Sequence, residues 1–326
     1  MLEELTKAAR IASDKGGLRI MAAVLVREGT ITAGNGAVSI RVPCSDLAGH
    51  TFAVDADRFL AAVKSSDGAP KLKLTDGGKL SVTHGQFRAL IPLMDADNYP
   101  IAEYPDTGDT CPHDFIEQIR RVAPFIATDK ARPWATGAML KGAGSSAIIA
   151  TNGTTLVRGY LDGSLERDAV LPLAGVEALL GIKAMPDRIA ITDNACVLYW
   201  PDGTVMSIQL LAHQWPDVGK LLDAPADYQP VPEGLADAIK RVMPFCPNKD
   251  HPIIRLTVDG TVCTADGDSS GVVGGFTFAQ DSAFIASSLL AVLELADKIN
   301  LAAYPAAVPF SGEHVHGVLA GVGVRV

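Results

Sequence analysis

The sequence predicts an α+β protein that uses one domain plan three times. Three observations carry that expectation: a helical segment recurs with its residues in place, an Asn-Gly or Asp-Gly turn recurs after it, and two Pro-rich acidic connectors separate the copies.

The helical segment is clearest in PHDFIEQIRRVAPF (Pro112 to Phe125) and PEGLADAIKRVMPF (Pro232 to Phe245). Pro112/Pro232, Ile119/Ile239, Arg121/Arg241, Val122/Val242, Pro124/Pro244 and Phe125/Phe245 match at one offset, 232 − 112 = 120. Phe115, Ile119, Val122 and Ile126 fall at helical spacing and form one apolar stripe, which Leu235, Ile239 and Val242 repeat. The first copy opens on a helix over Leu2 to Ser13 with a weaker stripe of Leu2, Leu5, Ala8, Ala9 and Ala12. Each helix precedes an apolar strand and then a turn: AGNG at 33–36, ATNG at 150–153 and TADG at 264–267. Asn and Gly tolerate the left-handed backbone of such turns.

A short strand and a second helix follow in every copy, within residues 52–63, 170–181 and 278–295. Asp55 and Asp281 are the expected N-caps, and Pro172 suits a first helical turn. Alternating strands come next, with hairpin turns in KLKLTDGGKLSVTH and RIAITDNACVLYWPDGTVMSIQL. The connectors are PIAEYPDTGD at 100–109 and DAPADYQPVP at 223–232. The expected domains are 1–106, 107–225 and 226–326, each with two helices packed on antiparallel strands.

With 48% apolar and 20% charged residues, the 326-residue chain can form real cores. Its net charge of −9 would repel duplex DNA if spread evenly, so DNA binding would require the basic residues to be segregated. Five cysteines without a CxxC pair signal neither a disulfide framework nor a zinc site. The N-terminus lacks the apolar run of a signal peptide, and the run around Phe284 to Leu295 is too short for a bilayer. These features lead to the expectation of a soluble cytoplasmic protein with no membrane partner and no cofactor.

RPWATGAMLKGAGSSAIIATNGTTLVRG (132–159), WPDVGKLL (215–222) and the closing GVLAGVGVRV resemble segments of the bacterial DNA sliding clamp, the β subunit of DNA polymerase III. The resemblance spans the whole chain, is strongest in the middle copy, and marks a divergent version of host or phage origin. It implies a crescent of three clamp domains that dimerises head to tail into a six-domain ring around double-stranded DNA. DNA polymerase and a clamp loader would dock through short linear peptides, and the protein would be nucleoid-associated.

Candidates for the ring lining are Lys7, Arg10, Lys15, Arg58, Lys64, Arg120, Arg121, Lys240, Arg241 and Lys298, on or beside the predicted helices. Lys130, Arg132 and Trp134 fall in a loop where the resemblance implies DNA contact. Each cation could also belong to a solvated face, and Trp134 to a core. The implied peptide pocket consists of Ala135, Thr151, Gly153, Thr154, Leu156, Pro216, Lys220, Leu221, Ala320, Val322, Gly323 and Val324. The alternative for Leu156, Leu221 and Val324 is plain core. Val322-Gly323-Val324 replaces two methionines around a proline, Thr154 a common His and Ala135 a common Leu, which implies a smaller, stiffer pocket. The implied dimer interface sets Phe87 and Ala89, on an edge strand, against Pro244 and Phe245. Phe125 would make the equivalent join between the first and second domains.

Catalytic patterns are weak. His314-Val315-His316 could set two imidazoles on one strand face, but no Cys or carboxylate flanks them in sequence. KGAGSS (141–146) lacks the ending of a phosphate loop, and DGDSSG (266–271) has Thr277 where a calcium loop needs Glu. No catalytic residue is assigned. Two other readings stay open: an enzyme on a repeated α+β scaffold using His314 and His316, and a clamp-fold protein-binding module that is not loaded on DNA.

Overall fold

The computed structural model describes residues 1–326 except 14–17, 130, 143, 145 and 324–326. The chain is α+β and divides into two compact units: residues 1–116 with 165–212, and residues 117–164 with 213–326.

The first unit carries an eleven-stranded sheet. The first copy contributes, in spatial order, Lys71–Thr75, Lys79–His84, Phe87–Met94, Phe52–Asp55, Ala23–Arg27, Thr30–Gly34 and Val38–Pro43. Val38–Pro43 then pairs antiparallel with Val205–Gln209 in the register Arg41↔Val205, so the sheet continues into Ala195–Tyr199, Arg188–Ile191 and Asp109–Thr110. Helices α1 (Leu2–Ala9) and α2 (Ala56–Lys64) pack together in this unit, burying Leu5, Ala8 and Phe59. Leu5 and Phe59 each contribute about 1.5–3 kcal/mol by leaving water. The helix α1 is shorter than the sequence suggests: after Ala9, Ile11 turns inward at 2% exposure and Ser13 N donates to the Met21 carbonyl.

In the second unit the strand order is Gly137–Lys141, Ala147–Thr151, Thr155–Tyr160, Val315–Leu319, Val308–Gly312, Lys298–Ile299 and Gln229–Pro230. A separate four-stranded sheet runs Ser270–Val272, Thr261–Thr264, Ile253–Thr257 and Ser282–Ile285. The predicted stripe of α3 (Phe115–Val122) is buried at Phe115, Ile119 and Val122, and so is Ile126 beyond it.

Helix α4 (Leu173–Leu180) belongs to the first unit, and α5 (Gly219–Leu222), α6 (Leu235–Val242) and α7 (Ala286–Leu293) to the second. Leu235, Ile239 and Val242 of α6 are buried as predicted.

The repeated turns share one bonding pattern. Asn35 Oδ1 accepts from the amides of Ala37 and Val38, and Asn152 Oδ1 from those of Thr154 and Thr155. In the third copy Asp266 Oδ1 accepts from Asp268 N. Asp55 caps α2 through Arg58 N, as expected. Asp281 does not cap α7: a strand intervenes, Ile285 holds the cap position, and the Asp281 carboxylate instead accepts from Val258 N. Pro172 likewise occupies the cap position of α4 and not its first turn.

Candidate binding groove

The predicted pocket residues that are described all lie in the second unit. Their floor is an apolar cluster of Ile149, Leu156 and Leu222, with Met139, Trp215, Val218 and Val318 packed against it. The strand register Leu156↔Val318 and the bond from Ala320 N to the Thr154 carbonyl (2.7 Å) bring the ATNG turn beside residues 320–323. Within the turn, Thr154 Oγ1 donates to Asn152 Oδ1 (2.8 Å) and stands 3.3 Å from Ser288 Oγ. Gly153 has the left-handed backbone that favours glycine, at φ +90°, and the Arg132 guanidinium lies where a Cβ would stand. Tyr304 holds the segment after the last strand by donating its hydroxyl to the Val322 carbonyl (2.8 Å).

One turn of helix, α5, forms the near wall. Leu222 points into the floor, whereas Leu221 is 56% exposed and Lys220 is exposed beside it. Pro216, Ala320 and Gly323 are also exposed, Val322 is partly buried, and Ala135, Thr151 and Leu156 are buried. Val324 lies outside the described residues. Trp134 and Trp215 meet edge to face at 5.2 Å, so Trp134 is half-buried against a second indole. The Trp215 Nε1 atom is buried without a hydrogen-bond partner. Sequence reasoning missed Met139, Trp215, Val218 and Leu222 as pocket residues. For Trp215, Val218 and Leu222 the available signal was the apolar spacing of WPDVGKLL; Met139, on the strand Gly137–Lys141, had none.

The predicted DNA-facing cations have several environments. Arg58 and Lys64 on α2, Arg120 on α3, Lys240 and Arg241 on α6, and Arg132 are exposed. Lys7 Nζ is 3.1 Å from Asp202 and 3.6 Å from Glu3, and Arg10 donates to the Gly181 carbonyl at the end of α4. Arg121 bonds Glu117 and the Glu313 carbonyl, each at 2.7 Å. Lys298 is exposed on a short strand beyond the end of α7. Lys15 and Lys130 lie outside the described residues.

Of the predicted interface residues, Phe87 and Ala89 lie on the strand Phe87–Met94, whose second edge pairs only at Leu93 and Met94 in the described registers. Phe245 is 66% exposed beside the exposed Pro244. Phe125 is 1% exposed and belongs to the second unit, with third-copy strands.

His314 sits in a turn at φ +54° and His316 on the following strand, so the two imidazoles do not share a strand face. Among the described residues no group of three His, Cys, Asp or Glu could hold a metal ion. All five cysteines are buried and free, and burial pushes the Cys111 thiol up to about 12. No helix of the described residues is long and apolar enough to cross a membrane.

This arrangement of repeated α+β copies is the fold of the bacterial DNA sliding clamps. The DNA polymerase sliding clamp of Pseudomonas aeruginosa superposes with a TM-score of 0.84 at 18% identity, over 100% of this chain and 97% of that one. The polymerase β subunit of Streptococcus pyogenes gives 0.86 at 16% identity over 98% and 97%, and the Bacillus subtilis clamp 0.81 at 16% over 99% and 97%. No protein-family model matches the sequence, and no curated protein matches it.

Proposed function

We propose that the protein is a DNA sliding clamp: a non-catalytic processivity factor of three domains, 1–106, 107–225 and 226–326, that dimerises into a ring around duplex DNA. The observation that carries this reading is agreement with the clamp fold across 100% of the chain. A ring of this kind does not need tight DNA affinity, because topology prevents escape. A modestly basic lining then suffices, which reconciles a net charge of −9 with a DNA partner. The exposed cations of α2, α3 and α6 are the lining this reading assigns. The cytoplasm is its place of action.

The ring would close by antiparallel pairing between the free edge of Phe87–Met94 in one copy and Ser270–Val272 in another, with Phe245 covered at the seam. Val272 is 72% exposed on that edge strand, as an uncovered seam residue should be. The groove in the second unit would take the apolar side chains of short peptides from a polymerase and a clamp loader, with Leu221 and Lys220 on its rim.

Retention on DNA tests the reading. Protein loaded onto nicked circular DNA should stay bound and should be lost after linearisation; equal retention on both forms would exclude sliding. Removal of residues 322–326 should abolish peptide capture while the solution mass stays at two chains. Unchanged capture would remove the groove assignment.

A further inference from the structure

Arg41 and Arg158 stand at one place in the repeated plan. The turn asparagines Asn35 and Asn152 differ by 117, and so do Arg41 and Arg158. Each arginine lies on the strand after the turn and faces the final strand of the next copy, Arg41↔Val205 in the first unit and Arg158↔His316 in the second. Each also reaches a Pro-rich connector. The Arg41 guanidinium lies 4.9 Å over the ring of Tyr104, whose hydroxyl is 3.3 Å from Ser39. Arg158 Nη1 donates to Asp223 Oδ1 at 2.7 Å, with the Arg158 side chain 15% exposed. In the third copy the turn Asp266 is 231 beyond Asn35, and the residue 231 beyond Arg41 is Val272. The first and second copies, each followed by an acidic Pro-rich connector, both carry the arginine.

We propose that Arg41 and Arg158 are connector clasps, and that Arg158, through Asp223, positions α5 and with it the exposed Lys220–Leu221 wall of the groove. Asp223 is the C-cap residue of α5, and its amide closes the turn onto the Gly219 carbonyl at 2.8 Å. A four-residue helix has no stability of its own, so tertiary anchors must hold it. Leu222 supplies one anchor in the apolar floor. Val218, at the N-cap, packs against the same floor, so the apolar contacts hold the start and the inner face of the turn but not its C-terminal end. The Arg158–Asp223 bond supplies a second point and sets which face Lys220 and Leu221 present. A carboxylate at a helix C-terminus is unfavourable by itself, because the carbonyl end already carries partial negative charge. Asp223 therefore gains its place from Arg158 and not from the helix.

This assignment to the groove rests on the binding role proposed above; the clasp itself does not. Both are read by amide hydrogen exchange and ligand binding on the full-length chain and on R158Q, R158D, D223R and the R158D/D223R double variant. The exchange probes are the amides of Leu221, Leu222 and Asp223, which donate to Val218 and Gly219 carbonyls. R158Q should speed their exchange about three- to ten-fold, the loss expected of one partly exposed ion pair, while strand Ile253–Thr257 stays protected. R158D and D223R should each do the same or more, and the reversed pair should restore slow exchange. A merely structural arginine would not be rescued by reversal. Exchange at 221–223 unchanged in R158Q, or equal in the double and single variants, overturns the clasp. The binding probe is griselimycin, to which a P. aeruginosa clamp is bound in one of its structures. Its affinity should fall several-fold in the single variants and return in the double variant. If griselimycin fails to bind the unaltered chain, the proposed groove fails while exchange still decides the clasp. If binding is unaltered by faster exchange at 221–223, the positioning role is overturned.

Discussion

Phe125 and Phe245 end two copies of one motif, RRVAPF and KRVMPF, and meet opposite environments: 1% exposed in one case, 66% in the other. Each is the last residue of a one-turn 3-10 extension of a helix whose apolar stripe is buried. Local structure is therefore shared, and the difference lies in what comes next. Beside α3, the strand Thr155–Tyr160 pairs with Val315–Leu319, and Arg121 reaches the Glu313 carbonyl in the hairpin before that strand. In the third copy the corresponding strand, Ser270–Val272, is a sheet edge with Val272 72% exposed. One join is completed within the chain and its repeat is left open. A large apolar residue exposed beside an unpaired edge is a surface that proteins usually protect, unless a partner covers it.

The largest expected effect separates the twins by stability. F125A should cost about 3–5 kcal/mol by opening a cavity, read as a lower denaturant midpoint. At a concentration low enough for single chains, F245A should leave that midpoint nearly unchanged, because outside the proposed seam its side chain is already in water. Equal losses would mean that the two phenylalanines do the same structural job, and the comparison would collapse. The association of the chain should respond the other way. A charge on the open edge, V272K or F245D, should reduce the solution mass from two chains to one at micromolar concentration, while F125A protein that still folds should remain dimeric. A dimer that survives V272K and F245D would place its interface elsewhere.

A smaller contrast sits in the turns. Gly36 and Gly153 hold the same position at φ +89° and +90°, yet a Cβ on Gly36 would meet nothing within 4 Å, whereas one on Gly153 would meet Arg132. G36A and G153A should each lose about 1 kcal/mol to the left-handed backbone. G153A alone should disturb ligand capture in the groove, because the Arg132 side chain must move. Calorimetry on both variants with griselimycin titration separates the two effects. Equal capture by both would detach Arg132 from the groove.

Much of this was legible in the residues. The stripes of α3 and α6 and the Asn-Gly turns are short-range patterns, and short-range physics fixes them. Helix starts were legible only when the cap touched its helix: Asp55 does, but Asp281 is four residues early because the strand Ser282–Ile285 intervenes. Lys298 follows α7 so closely that periodicity could not show the chain had already turned into a strand. The groove floor was half legible. Leu221 and Leu222 are neighbours of one type, and only the docking of α5 on Ile149 and Leu156 decides which is buried. The Arg158–Asp223 bond spans 65 residues and carries no local signature.

The smallest effect concerns His316, which faces Arg158 across the strands and has no counterpart in the first unit, where Val205 faces Arg41. Its ring lies 5.1 Å from that of Tyr160, and its Nε2 is buried without a hydrogen-bond partner. Burial, and then the Arg158 charge, hold its pKa below the ordinary 6.5, while Asp223 and the Leu222 backbone act the other way. A depressed histidine is neutral in the folded unit and takes up its proton more readily when unfolded. Its contribution is therefore complete above pH 6.5 and is lost as pH falls through 6.5 toward the folded value. Asp223 cannot account for a loss in that window, because the Arg158 bond keeps its pKa below 3.8. Tyr228, whose phenol burial pushes above its ordinary 10, is uncharged there. Thermal unfolding should show a lower midpoint at pH 5.5 than at pH 7.5, with the difference reduced in H316Q. The same difference in H316Q would assign the pH response to another group, and the two units would then differ in their clasps but not in their titration.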